Sequence, residues 1–246
     1  MKHFFYSLGI IFLFTLQTEA QIYLYLSEQE LTIKEETYPA WVFPLAGAPE
    51  EALKDLDKFC RQRNDIKMKR VSNDLLMAKK VRLPAVSKLR GDLIGYAFNL
   101  EQEERLGIVF LFGYDIALNS RNRPVEMESM RKYVKSFMSY HFEQEYNRQL
   151  KIQEEELGAL ERERGQDLRK INKLTNKINN LGKKIGKATE TAEIEALEIE
   201  IRSLEAELRQ LMDLVPGLDQ QIIQHQDSMD QLLAESHQYL GTIGNL

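Results

Sequence analysis

The chain has 246 residues, 33 Lys and Arg against 38 Asp and Glu, a formal net charge of −5 and one cysteine. This mildly acidic balance lacks the electrostatic footprint of a nucleic-acid binder, and a lone thiol excludes any intrachain disulfide. The length allows one or two domains.

The N-terminus reads as an address. Lys2 and His3 precede an apolar run from Phe4 to Leu16, and small residues at Thr18 and Ala20 close it. That is the layout of a secretory signal peptide, residues 1–20, with cleavage expected between Ala20 and Gln21. As a membrane anchor the run would reach roughly 20 Å, short of the ~30 Å hydrocarbon core. No cysteine lies beside the cut to carry a lipid. No later segment is apolar enough to span a membrane, so no transmembrane segment is expected after signal cleavage. Export without disulfides points to the periplasm or outer envelope of a Gram-negative bacterium, and argues against a nucleic-acid partner.

Residues 21–37 form an edge strand or loose arm: Ile22, Leu24 and Leu26 alternate, but glutamates follow quickly. Residues 38–123 read as a small α+β domain. Tyr38 to Leu45 is a strand around Trp41, Val42 and Phe43. Pro49 then opens a helix, with Glu50 and Glu51 where the helix dipole favours negative charge. Leu53, Leu56, Phe59 and Cys60 share one apolar face, so Cys60 is expected to be a buried, inert thiol. Ile66, Met68 and Arg70 alternate with lysines, Leu75 to Val81 is a further strand-like segment, and Ile94, Tyr96, Phe98 and Leu100 alternate cleanly. Ile108 to Phe112 is apolar on both faces, as a covered central strand would be. The order is β-α-β-β-β-β, with helices on one face of a mostly antiparallel sheet.

Residues 124–246 read as a long helical hairpin with arms at about 124–182 and 191–240 and a turn at about 183–190. Pro124 starts the first helix, and Met127, Met130, Val134, Phe137 and His141 recur in steps of three and four, a stripe expected to dock on the sheet. From Leu157 the chain repeats in sevens. Leu157, Arg164, Ile171, Ile178 and Ile185 fall at a, and Leu160, Asp167, Leu174 and Leu181 at d, with Leu168 beside the polar Asp167. A second series places Ile194, Ile201, Leu208, Val215, Ile222 and Met229 at a, and Leu197, Leu204, Leu211, Leu218, His225 and Leu232 at d. A seam sustained over more than three heptads needs a partner helix. The phase slips between Ile185 and Ile194, where Gly182, Gly186, Thr189 and Thr191 cluster, so the two series are read as antiparallel arms of one coiled coil. From a tip near residue 187 each arm would run roughly 75 Å. Pro216 and Gly217 predict a kink or short break in the second arm. His225 is a polar seam position suited to fixing register against Asn or Gln; one histidine has too few partners to act as a pH switch. Lys183, Lys184 and Lys187 mark the tip as a candidate contact for an anionic surface or partner, beside the plainer reading of a solvated basic turn.

Catalytic signatures are missing from the sequence. Beyond the signal segment the histidines are His141, His225 and His237, none in a HExxH spacing, and a lone His141/Glu145 pair is not a metal site. There is no GxSxG and no Walker loop, and Gly241 to Gly244 follows a helix at the end of the chain. No enzyme, cofactor or metal site is expected.

In layout the chain resembles a group of uncharacterised secreted proteins from Bacteroidota. The resemblance runs from signal peptide and short strand through the Ala48-Pro49-Glu50-Glu51 helix and an apolar strand, here Ile108–Gly113, to a proline-started helix entering a charged coiled coil. It covers most of the chain and rests on no diagnostic motif. It lends no functional residues and implies a periplasmic or outer-envelope location.

The expected role is that of an exported structural or interaction protein with a protein partner, its hairpin a spacer or docking arm. Hairpins of this kind can pair further into a homo-oligomer. The alternative is a holdase-type periplasmic chaperone whose helical arms enclose unfolded clients, a class that tends to be basic with apolar inner arm faces, unlike this acidic chain. A hydrolase in the small domain is a third option that would need a deep pocket of convergent polar groups.

Overall fold

The computed structural model describes residues 25–112 and 116–246; the expected signal peptide, residues 1–20, lies outside them. The fold is α+β, a wholly antiparallel seven-stranded sheet with one short helix, followed by a long pair of helices. The described residues divide into two compact units, one running from residue 25 to 135 and including Leu246, the other from 136 to 245.

In the first unit the strands are β1 (Ser27–Ile33), β2 (Glu36–Pro44), β3 (Lys69–Arg70), β4 (Leu75–Arg82), β5 (Arg90–Leu100), β6 (Glu103–Phe112) and β7 (Ile116–Ala117). They lie in the order β1-β2-β6-β5-β4-β3, with β7 added beside β6. The arm at 21–37 thus contains an edge strand, β1, paired along its whole length from Ser27↔Val42 to Ile33↔Glu36. Leu106 to Phe112 is buried throughout because β6 has β2 and β5 on its flanks and apolar residues on both faces.

The helix α1 (Pro49–Asn64) has Pro at its first turn and acidic Glu50 and Glu51 there. It stops at Asp65, which takes the left-handed conformation (φ 54°) so that its N–H reaches the Arg61 carbonyl, while Ile66 N–H reaches that of Cys60. Its apolar face lies over β5 at Gly95, where an added Cβ would come within 2.3 Å of Leu56 Cδ2. Glycine at that position lets helix and strand approach closely. On the same side of the sheet Trp41 donates its indole N–H to the Met127 carbonyl at 3.2 Å, tying β2 to the first turn of the next helix. Met127, Met130, Tyr133 and Val134 are buried there. The opposite side of the sheet carries its own apolar cluster, including Leu31, Val42, Leu75, Ile94 and Val109.

Cys60 is buried beside Tyr133, with Sγ 3.4 Å from the phenol oxygen, and Tyr133 donates to Asn64 Oδ1 at 2.9 Å. Burial pushes the thiol up to about 11, so at neutral pH it is a protonated packing group. The phenol of Tyr133 is likewise raised, by burial first and the neighbouring thiol second.

Two local readings change. The strand expected over Ile66 to Arg70 contracts to β3, two residues long. Ile66 and Met68 are buried, but the Met68 N–H donates to Asp57 Oδ1 of α1 at 2.9 Å and leaves no ladder bond to make. The short strand β7 was not expected; two residues are too few to display a period.

Candidate interaction surface on the helical hairpin

The second unit is built from α2 (Pro124–Ile185) beyond Lys135 and α3 (Thr191–Asn245). Both helices run longer than the expected arms, and the turn contracts to residues 186–190. The chain leaves α2 by hydrogen bonds from Lys187 and Ala188 N–H to the Lys184 carbonyl, at 2.9 and 3.0 Å.

Burial along both helices follows the heptads. Leu157, Leu160, Ile171, Leu174 and Ile178 are half-buried and Leu181 is buried. On α3, Ile194, Leu197, Ile201, Leu204, Leu208, Leu211, Leu218 and Ile222 are all half-buried. Half burial is what two helices alone provide, since each seam side chain has one partner helix and water on its flanks.

Named cross-arm contacts fix an antiparallel register. Near the turn, Lys177 Nζ lies 2.9 Å from Glu200 Oε1. Further down, Arg164 pairs with Asp219, and His225 Nδ1 donates to Gln153 Oε1 at 2.9 Å with Glu156 Oε2 at 3.8 Å. At the open end Tyr239 sits against Phe142 and Tyr146, ring centroids 6.1 and 6.0 Å away. Burial raises the phenol of Tyr146. The polar seam positions are thereby satisfied. Arg164 turns outward to reach Asp219 on the other arm, buried Asp167 accepts from Lys170 at 2.9 Å, and His225 meets a glutamine across the seam.

Of the kink or short break expected at Pro216, the break does not occur. Helix α3 continues through it to Asn245. Pro216 and Gly217 are exposed, between the seam residues Val215 and Leu218, so the Met212 carbonyl that loses its amide partner lies where water can serve it. The seam on either side holds the helix together.

A second periodicity, overlooked in the apolar pattern, anticipates the register. Lys170, Lys177 and Lys184 recur every seven residues on α2, and Glu193, Glu200 and Glu207 every seven on α3. With Lys177 opposite Glu200, the remaining lysines and glutamates stand one heptad to either side, in step with the seam. Lys183, Lys184 and Lys187 are all exposed at the tip.

Among the described residues no group of three or more His, Cys, Asp or Glu is placed to hold a metal ion. An open cleft of about 330 Å³ lies on α1, lined by Lys54, Asp57, Lys58, Arg61 and Gln62. Two of its cations are already paired, Lys54 with Glu51 and Arg61 with Asp57. No described helix is long and apolar enough to cross a membrane. Comparison with family models, with curated proteins and with solved structures gives no match to this chain.

Proposed function

We propose that this is an exported structural or interaction protein of the bacterial envelope, in which the helical hairpin is a spacer or docking arm and the sheet unit is the platform that holds a protein partner. The reading rests on the hairpin's seam, which runs from Leu157 on α2 through the turn to Leu232 on α3 with mostly polar and charged side chains outside it. A helix pair of that length, with its polar groups spent on holding register, is suited to setting a distance. The signal-like N-terminus supports export, and the proposed location is the periplasm or outer envelope.

The test is to change the length of the arm while keeping its seam. Excising residues 157–170 together with 210–223 removes two facing heptads from each arm and preserves both phases. The full-length and shortened proteins would be captured from envelope extracts after crosslinking in cells. A spacer loses at least one crosslinked partner when shortened while the sheet unit keeps its own. Identical partner sets from both forms would end the spacer reading, and recovery of the protein in the cytosol would end the export reading.

A further inference from the structure

The β4–β5 hairpin carries a cluster of cations that neither the packing nor the proposed arm uses. Residues 79–90 contain Lys79, Lys80, Arg82, Lys88 and Arg90 and no acidic residue. All five are exposed, and none makes an ion pair among the described residues. Several other cations of the same unit do find carboxylates: Lys54 meets Glu51 at 2.8 Å, Arg105 meets Glu103 at 2.8 Å, and Arg131 meets Glu128 at 2.9 Å.

The backbone accepts local cost to keep this cluster. The β4–β5 register shifts between Ala78 and Val81, and Lys80 sits there at φ 53°, a conformation costly for a side chain with a Cβ. The irregularity leaves two successive lysines exposed where a regular strand would alternate them. Asp92 of β5 accepts the Lys80 backbone N–H at 2.7 Å. Beyond it Arg82 and Arg90 are direct cross-strand partners, a like-charge pairing that destabilises a sheet. Protection of the sheet edge accounts for a lysine or two at a bulge. It does not account for Arg82 opposite Arg90, or for Lys88 in the loop.

The loop between the strands sorts its apolar residues. Leu83 and Val86 are buried, and the turn is closed by Val86 and Ser87 N–H groups on the Leu83 carbonyl at 2.8 and 2.9 Å. Leu89, between Lys88 and Arg90, is instead 51% exposed. An aliphatic side chain with a cation on either side suits a lipid interface, where the cations meet phosphate and the aliphatic group enters the acyl boundary. An acidic protein face would satisfy the charges but offers Leu89 nothing in particular.

We infer that the β4–β5 hairpin docks on the surface of an anionic phospholipid bilayer, with Lys79, Lys80, Arg82, Lys88 and Arg90 against the headgroups and Leu89 inserted between them. This surface does not depend on the spacer reading of the arm.

Co-sedimentation of the signal-cleaved chain, beginning at Gln21, with vesicles tests it. Vesicles of two parts phosphatidylethanolamine to one part phosphatidylglycerol should bind the protein, and phosphatidylcholine vesicles should not. Binding should disappear as salt approaches about 1 M, where the Debye length is about 3 Å. Replacing Lys79, Arg82, Lys88 and Arg90 together by Glu should weaken binding at least about a hundredfold. Leu89→Ser, which leaves the charge unchanged, should weaken it about tenfold. All of these side chains are exposed, so circular dichroism and the melting curve should match those of the parent. Three results would overturn the inference: no binding to the anionic vesicles, equal binding to both vesicle types, or loss of binding only when Lys183, Lys184 and Lys187 are replaced. Binding indifferent to Leu89→Ser but competed by polyglutamate would overturn it too, by identifying an acidic protein as the occupant.

Discussion

In the sheet unit Phe43, Phe59 and Phe110 are almost wholly removed from water, whereas in the hairpin nearly every seam residue keeps part of its surface wet. The sheet core is closed in three dimensions by residues far apart in the chain: β6 joins β2 and β5, and α1 lies over Gly95. The hairpin is closed along one line, heptad by heptad, and each contact helps mainly its neighbours. A deep core concentrates stability in a few side chains. A seam distributes it over many, so that no single one is decisive.

That contrast can be broken by substitution, beginning with the largest expected effect. Phe110→Ala should cost about 3–5 kcal/mol and lower the melting transition of the sheet unit, followed by near-UV circular dichroism. Gly91→Ala should cost about 1–3 kcal/mol, because its Cβ would meet the Leu111 carbonyl oxygen at 2.3 Å and backbone must move to admit it. Leu204→Ala, at a half-buried seam position, should cost only about 1–2 kcal/mol, read from helical ellipticity at 222 nm. If Leu204→Ala proves as costly as Phe110→Ala, the seam is not a distributed structure.

Two smaller effects sharpen the comparison within the sheet unit. Glu101 and Gln102 form the two-residue turn between β5 and β6, both at positive φ (54° and 69°), a conformation that favours Asn-Gly. Replacing them by Asn and Gly should stabilise the unit by about 1 kcal/mol in urea titrations. Cys60 contributes a pH dependence of definite sign. Its folded value, about 11, lies above the ordinary 9.0, so the unfolded chain releases the proton first. The stabilisation is therefore complete below pH 9 and lost as the pH climbs through about 11. Unfolding free energies measured across that range should fall, and Cys60→Ala should flatten part of the slope.

Much of the architecture was legible because its signals are periodic or tied to a fixed backbone angle. Pro49 and Pro124 each begin a helix at the named residue, and the seam residues recur every three and four. The hairpin turn was legible from the slip between Ile185 and Ile194, though it proved tighter than the glycines implied. What was not legible depended on partners. Ile66 and Met68 alternate like a strand, but Asp57 takes the hydrogen bond that a neighbouring strand would have used. Pro216 carries a strong local signal to break the helix, a penalty of about 3 kcal/mol. The apolar seam around it, from Leu211 to Leu218, outweighs that signal because it acts on both sides. The cationic β4–β5 hairpin was hidden for a different reason: its lysines and arginines look like ordinary solvated charge until the register places Arg82 opposite Arg90.

Pro216 has a mechanical corollary. A helix resists bending through its ladder of carbonyl-to-amide bonds, and at this section of α3 one rung is missing, with glycine as the next residue. Any sideways load on the arm would meet its most compliant section there, so the hairpin would deflect like a strut with a built-in flexure. Hydrogen exchange along α3 would reveal that section as a local maximum between two slower stretches.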